Sequence, residues 1–242
     1  GGRDLTQAAC EALKNLCDGH DGCKQQATEK QGVRALIGLI MSASGKTRSP
    51  IASLHSRDSS IPGLQVSPDS PPKDMGGKGG EHPPGPVDMH LMESSLAALC
   101  NILNNSQPSK DALCGEAGAM TVLVSALFSS SQRVREYAVG TIWNAVLGHD
   151  GNIIGMQKAN GVSALVHIVK GGSTLAQQWA AAALAAVCAI DAVHADVFMC
   201  RGVTPLVSLV SRDSPSRTCE FALSALSGCV RNEQNLRLFE EG

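Results

Sequence analysis

Apolar and polar positions along this chain fall into a pattern that returns every 42 or 43 residues. Asn101, Asn144, Ala186 and Gly228 occupy one register, with steps of 43, 42 and 42 residues. Two residues before each stands a large apolar side chain: Leu99, Ile142, Leu184, Leu226. Six before stands a small one: Ser95, Ala138, Ala180, Ala222. With Asn144 as position zero and about 100° per residue, positions −9, −6, −5, −2 and +1 gather on one side, the stripe of an amphipathic helix. The clearest copy predicts a long helix over Ser131 to Leu147. Two shorter helices follow in each unit. One runs through Asp111 to Glu116, and a glycine break then opens the second, Gly118-Ala-Met-Thr-Val-Leu-Val. The break and apolar run recur from Gly32, Gly161 and Gly202, and Pro205 suits the first turn of a helix. A fixed period of this length predicts an all-α solenoid, in which no unit can bury its own apolar face alone.

The loop after the long helix repeats as well. Gly19-His20-Asp21-Gly22 lies four residues after Asn15, and Gly148-His149-Asp150-Gly151 four after Asn144, so Asn15 joins the register. Between Asn15 and Asn101 lie 86 residues, two periods in length. Residues 44–87 do not read as helix, however: they hold eight of the chain's eleven prolines and Gly76, Gly77, Gly79 and Gly80. Such a stretch cannot bury enough apolar surface to offset its ordering entropy, and it reads as a disordered insertion. The organisation predicted is helical repeats over 1–43, the insertion over 44–87, and further repeats over 88–242.

Composition narrows the function. The 242 residues are 43% hydrophobic but only 3% aromatic, and the net charge is −2 with no basic stripe, which argues against a nucleic-acid partner. The longest apolar run, Trp179 to Ile190, is far short of the roughly 20 residues of a membrane span. Nine cysteines include no Cys-x-x-Cys pair. Cys10, Cys17, Cys188 and Cys229 fall at core-facing positions, where Cys acts as a small hydrophobe, so a reduced intracellular setting is expected, cytoplasmic rather than nuclear. Cys17-x-x-His20-x-x-Cys23 lacks the fourth ligand of a structural zinc site. Ser44-Gly45-Lys46-Thr47 ends like a phosphate-binding loop, but Ile40 stands where the motif needs glycine. No Ser/His/Asp or Cys/His set converges, so neither catalysis nor a metal or other cofactor is expected.

The pattern resembles the armadillo repeat family. The resemblance rests on Gly-x-x-x-Leu-Val, a long Ala/Leu helix and Leu-x-Asn near its end, and it covers nearly all of the chain outside the insertion. HEAT repeats are the nearest competitor, and the glycine break favours armadillo. The resemblance implies a right-handed superhelix whose long helices line a concave groove for extended peptides or partner proteins. It also implies a segment of a longer array, since neither end carries a polar cap. In armadillo import adaptors the groove Asn works with a Trp four residues earlier. Here that position holds Glu11, Ala97, Gly140, Ala182 and Ser224, and Ala186 and Gly228 replace the Asn, so nuclear import is disfavoured. A non-enzymatic scaffold for a partner protein is the reading adopted. A substrate-recruiting region of a ubiquitin ligase and a structural component of cilia or junctions are the alternatives.

Candidate contact residues follow from the helical wheel. Tyr137, Trp179 and Phe221 sit at −7, opposite the centre of the core stripe. They serve either as anchors for a partner or as packing between neighbouring long helices. Asn15, Asn101 and Asn144 either clamp a peptide backbone or cap a helix end. Arg133 and Arg217 share the aromatic side at −11, with Glu93, Glu136 and Glu220 at its edge. In the insertion, Ser49, Ser67 and Ser70 each precede a proline and are candidate phosphorylation sites.

Overall fold

A computed structural model describes residues 2–44, 88–211 and 214–240. Among these residues lie fourteen α-helices, one 3-10 turn (Asp191–Val193) and no strand. Every third helix is long: α1 (Gly2–Cys17), α4 (Met89–Leu103), α7 (Gln132–Val146), α10 (Thr174–Val187) and α13 (Ser216–Cys229). After each comes a first short helix: α2 (Asp21–Glu29), α5 (Gln107–Gly115), α8 (Asp150–Lys158), α11 (His194–Met199) and α14 (Glu233–Glu240). Second short helices complete four units: α3 (Gly32–Ala43), α6 (Ala119–Ala126), α9 (Gly161–Gly171) and α12 (Val203–Ser208). Each long helix packs most extensively against a neighbouring long helix, so these five stand side by side. A single apolar core runs through all units, and Cys10, Cys17, Cys188 and Cys229 are buried in it.

The long helices start at a recurring cap. Asp88 Oδ1 accepts from the Leu91 N–H at 3.0 Å, Ser131 Oγ from Val134 at 3.4 Å and Ser173 Oγ from Ala176 at 3.3 Å. Each satisfies an N–H that the helix cannot. In the fourth copy Pro215 takes this place, with no side-chain cap.

The break between the short helices differs in detail from the one expected. The left-handed residue is Gln31 (φ 60°), Asn160 (φ 56°) and Arg201 (φ 51°), each one position before the repeated glycine; only Gly118 itself takes that conformation (φ 76°). The Gly118 copy is thus offset by one residue, and Ala119 stands where the other units have glycine. Gly32 and Gly202 are needed for a different reason. A Cβ on Gly32 would lie 2.6 Å from the Ala27 carbonyl oxygen, and one on Gly202 2.9 Å from Val197 Cγ1. The first short helix of the same unit passes too close for a side chain.

A buried polar column runs through the first short helices. Lys24, Lys110, Asn152, His194 and Asn235 stand at comparable places on the five first short helices, and all are buried. Four of them bond to the end of a long helix, where the last carbonyls have no partner of their own. Lys24 Nζ donates to the Asn104 carbonyl at 2.9 Å and Lys110 Nζ to Leu147 at 2.5 Å. Asn152 Nδ2 donates to Ala145 at 3.0 Å and His194 Nε2 to Cys188 at 2.8 Å. Asn152 and Asn235 also donate back to the carbonyls of Lys110 and His194, which links successive units. An ammonium at a helix C-terminus is further favoured by the helix dipole.

Two to seven residues separate the second short helix from the next long one in the last three units, but 45 do so between α3 and α4. The two ends of that segment nonetheless meet: the Asp88 N–H donates to the Ala43 carbonyl at 3.1 Å. Ser44 closes α3 as its C-cap. The insertion expected over 44–87 lies, beyond Ser44, outside the described residues, as do Ser49, Ser67 and Ser70. Leu16, 58% exposed, fills a register at which Ile102, Ala145, Val187 and Cys229 are fully buried. Leu223, 52% exposed, fills one at which Leu96, Val139 and Ala181 are fully buried. On these two faces the long helices have no neighbour in the described structure.

Candidate binding groove

Side chains at positions 0, −4, −7 and −11 of the five long helices share the side away from the core stripe. Their floor is built from small residues. Ala97, Gly140 and Ala182 stand at −4 on α4, α7 and α10. They let the −7 ring of the following unit lie down across the groove. A Cβ added to Gly140 would sit 3.0 Å from Trp179 Cε3, 3.1 Å from Cζ3 and 3.5 Å from Cys100 Sγ. Trp179 on α10 therefore lies against α7 at Gly140.

Lys14 Nζ, at −1 on α1, lies 5.8 Å from the centroid of Tyr137 on α7. Trp143, at −1 on α7, meets Phe221 on α13 edge-on, with centroids 5.9 Å apart and planes at 61°. Tyr137 and Phe221 thus each span one intervening long helix and meet a side chain two units back. Tyr137, Trp179 and Phe221 are all half-buried and packed against the core cluster. They join the units, and each ring stays partly exposed. Trp143 belongs to this floor too. Its register had no aromatic repeat to mark it, and only the α7–α13 contact brings it in.

The asparagines are likewise engaged between units. Asn101 Nδ2 donates to the Lys14 carbonyl at 2.9 Å and Asn144 Nδ2 to the Cys100 carbonyl at 2.9 Å. Both carbonyls lie in the last turn of the preceding long helix and lack intrahelical partners. These residues therefore cap the neighbouring helix rather than their own. The Oδ1 of each accepts no hydrogen bond among the described residues. Asn15 on α1 is exposed.

A depression of about 250 Å³ opens across α1, α4 and α7. It is lined by Glu11, Lys14 and Asn15 of α1, Glu93 and Ala97 of α4, and Arg133 and Tyr137 of α7. Of the residues expected to make contacts, Asn15, Arg133 and Tyr137 are brought together here, while Asn101, Asn144, Trp179, Phe221 and Arg217 are not among its walls. Arg133 Nη1 donates to Glu93 Oε1 at 3.0 Å, an exposed pair worth at most about 1 kcal/mol and easily exchanged for another partner. Arg217 is exposed near the start of α13. In the groove floor, burial pushes the Cys100 thiol up to about 11, so it stays protonated and unreactive at neutral pH. No three side chains able to hold a metal converge among the described residues. His20 is exposed, and burial pushes the Cys17 thiol up.

A helical solenoid whose long helices stand side by side, with a polar-aromatic side away from the core, defines the class. A family model for the armadillo/beta-catenin-like repeat matches residues 106–146, from the cap of α5 to the end of α7. A designed armadillo repeat protein is 22% identical over 97% of this chain and 80% of its own, with a TM-score of 0.70. A structure of computationally designed armadillo repeat proteins for modular peptide recognition is 21% identical at the same coverage, with a TM-score of 0.72. Another designed armadillo repeat protein, solved in complex with peptide (KR)4, is 20% identical at that coverage, with a TM-score of 0.70. No curated protein sequence matches the chain. The chain has the all-α fold of an armadillo repeat solenoid. No helix among the described residues is long and apolar enough to cross a membrane.

Proposed function

We propose that this solenoid is a non-enzymatic scaffold that holds an extended segment of a partner protein along the floor of its long helices. The observation that carries the reading is the open depression across α1, α4 and α7, where Lys14, Asn15, Arg133 and the exposed part of Tyr137 face one space. Packed helices stand about 8–10 Å apart. An extended chain advances about 3.3 Å per residue, so one unit of the groove matches two to three residues of ligand. The peptide bound by the designed relative supports the same mode of use for this fold. The mixed charges of Glu11, Lys14, Glu93 and Arg133 favour a ligand carrying both signs over a uniformly basic one.

The test is selection of displayed ten-residue peptides on the whole chain, followed by affinity measurement with the charge reversals Lys14→Glu and Arg133→Glu. Both residues are surface-accessible, so the reversals leave the fold intact by circular dichroism. Tenfold or greater weakening by the pair supports the groove. Selected peptides that bind the double variant as well as the parent place binding elsewhere and overturn the reading.

A further inference from the structure

At the junction of α10 and α13 two sulfur atoms meet. Cys188 closes α10 and Cys229 ends α13; both are fully buried, both are free thiols, and their Sγ atoms are 3.0 Å apart. The approach is enforced by the backbone. A Cβ on Gly228 would lie 2.8 Å from Cys188 Cβ and 2.8 Å from its carbonyl oxygen, so α13 runs directly against the end of α10. The Cys188 carbonyl is also held from the other side by His194 Nε2 at 2.8 Å. The same two registers at the other junctions hold Cys17 with Ile102, Leu103 with Ala145, and Val146 with Val187. Only here do both registers place sulfur. Apolar packing alone does not need the pair, since three junctions of the same design manage without it.

We infer that Cys188 and Cys229 form a reversible disulfide that staples the α10–α13 junction when the protein meets a small peroxide. Either S–H can donate in this contact, and Cys229 is the thiol held lower when Cys188 donates. That bond holds the Cys229 thiol below its usual value, while the same bond and burial push Cys188 up, so Cys229 is the nucleophile. Its thiolate attacks one oxygen of hydrogen peroxide. An S–O bond forms, the O–O bond breaks, and the departing hydroxide takes the thiol proton to leave as water. Cys188 sulfur then attacks the Cys229 sulfenic acid. The S–S bond forms, the S–O bond breaks, and a second water carries off the Cys188 proton. Two thiols are oxidised by two electrons and the peroxide is reduced to two waters. Because the sulfurs are buried, the oxidant enters during local opening of the junction, which repeat arrays allow without global unfolding. The bond then ties two long helices whose registers otherwise depend on packing alone.

The experiment treats the whole native chain with hydrogen peroxide, blocks remaining thiols with iodoacetamide after unfolding, and maps cysteines by peptide mass spectrometry. The expected product is one linked peptide pair containing Cys188 and Cys229, lighter by two hydrogens and split by dithiothreitol. Its formation raises the thermal midpoint of the parent by several degrees, and peroxide leaves the midpoints of Cys188→Ala and Cys229→Ala unraised. Cys114, exposed on α5, serves as the internal control for oxidant delivery. If Cys114 is fully oxidised while Cys188 and Cys229 remain alkylatable, the proposal is overturned. Recovery of either cysteine in disulfides with other cysteines overturns it equally. The mapping uses the parent protein, so the outcome does not depend on whether the alanine variants fold.

Discussion

The ring that lies across the groove predicts a change of sign at Gly140. Glycine inside a helix is about 1 kcal/mol worse than alanine, so Gly140→Ala in the middle of α7 carries a favourable backbone contribution of about that size. In the native protein the new methyl lands 3.0–3.1 Å from Trp179 Cε3 and Cζ3. Such a contact displaces the ring, and overpacking of this kind costs about 1–3 kcal/mol. Gly140→Ala is therefore expected to be neutral or destabilising. Removing the ring reverses the outcome. Trp179 is half-buried, so Trp179→Ala costs about 2–3 kcal/mol, below the roughly 3–5 of a fully enclosed ring and well above a surface change. In the Trp179→Ala background, Gly140→Ala meets no ring and recovers the full helix-propensity gain of about 1 kcal/mol. A double-mutant cycle should then give a coupling of about 1–3 kcal/mol. The assay is urea unfolding of the four proteins followed by far-ultraviolet circular dichroism, comparing midpoints at constant slope. Additive effects within about 0.5 kcal/mol, or a Trp179→Ala loss below about 0.5 kcal/mol, would refute the geometry of the groove floor.

Two other expectations follow from the unit. Replacing residues 45–87 by a four-residue Gly-Ser linker should preserve helicity and cooperative melting, because Ala43 and Asp88 are already hydrogen-bonded to each other; the shorter loop lowers closure entropy by about 2 kcal/mol for a flexible segment, and loss of folding would show that the excised residues are structural. Lys110→Ala should cost about 2 kcal/mol by leaving the Leu147 carbonyl without its charged donor. Burial lowers the Lys110 pKa, so the unfolded chain binds more protons between the lowered folded value and about 10.4, and stability should rise with pH across that window in the parent; equal pH slopes in parent and Lys110→Ala would contradict it.

Much of the candidate groove could be read from the sequence only as a register. The phase of Tyr137, Trp179 and Phe221 was visible because a helix carries side chains to one side at a fixed angular step. How deeply the rings lie was not, since that depends on small residues at −4 of the preceding helix and on the tilt between helices. Trp143 shows the same limit. It recurs nowhere in its register and becomes part of the floor only through Phe221, 78 residues later.

The sequence by itself determined the period, the helix boundaries to within a few residues, and the division into core and groove sides, because each is set by local propensity and the 3.6-residue turn. It also carried the sites of the breaks, but not which residue at each break takes the left-handed conformation. Tertiary structure decided that Gln31, Asn160 and Arg201 bear it while Gly32 and Gly202 yield space to the preceding helix. It decided as well that Asn101 and Asn144 cap a neighbouring helix, that Lys24, Lys110, Asn152, His194 and Asn235 form one column, and that Cys188 faces Cys229. The reason is common to all of these. Each is a close approach between different helices: across units for Asn101, Asn144, Lys24, Lys110 and the Cys188–Cys229 pair, and between helices of one unit for the glycine breaks and for Asn152 and His194, so only packing of the helices brings the partners together.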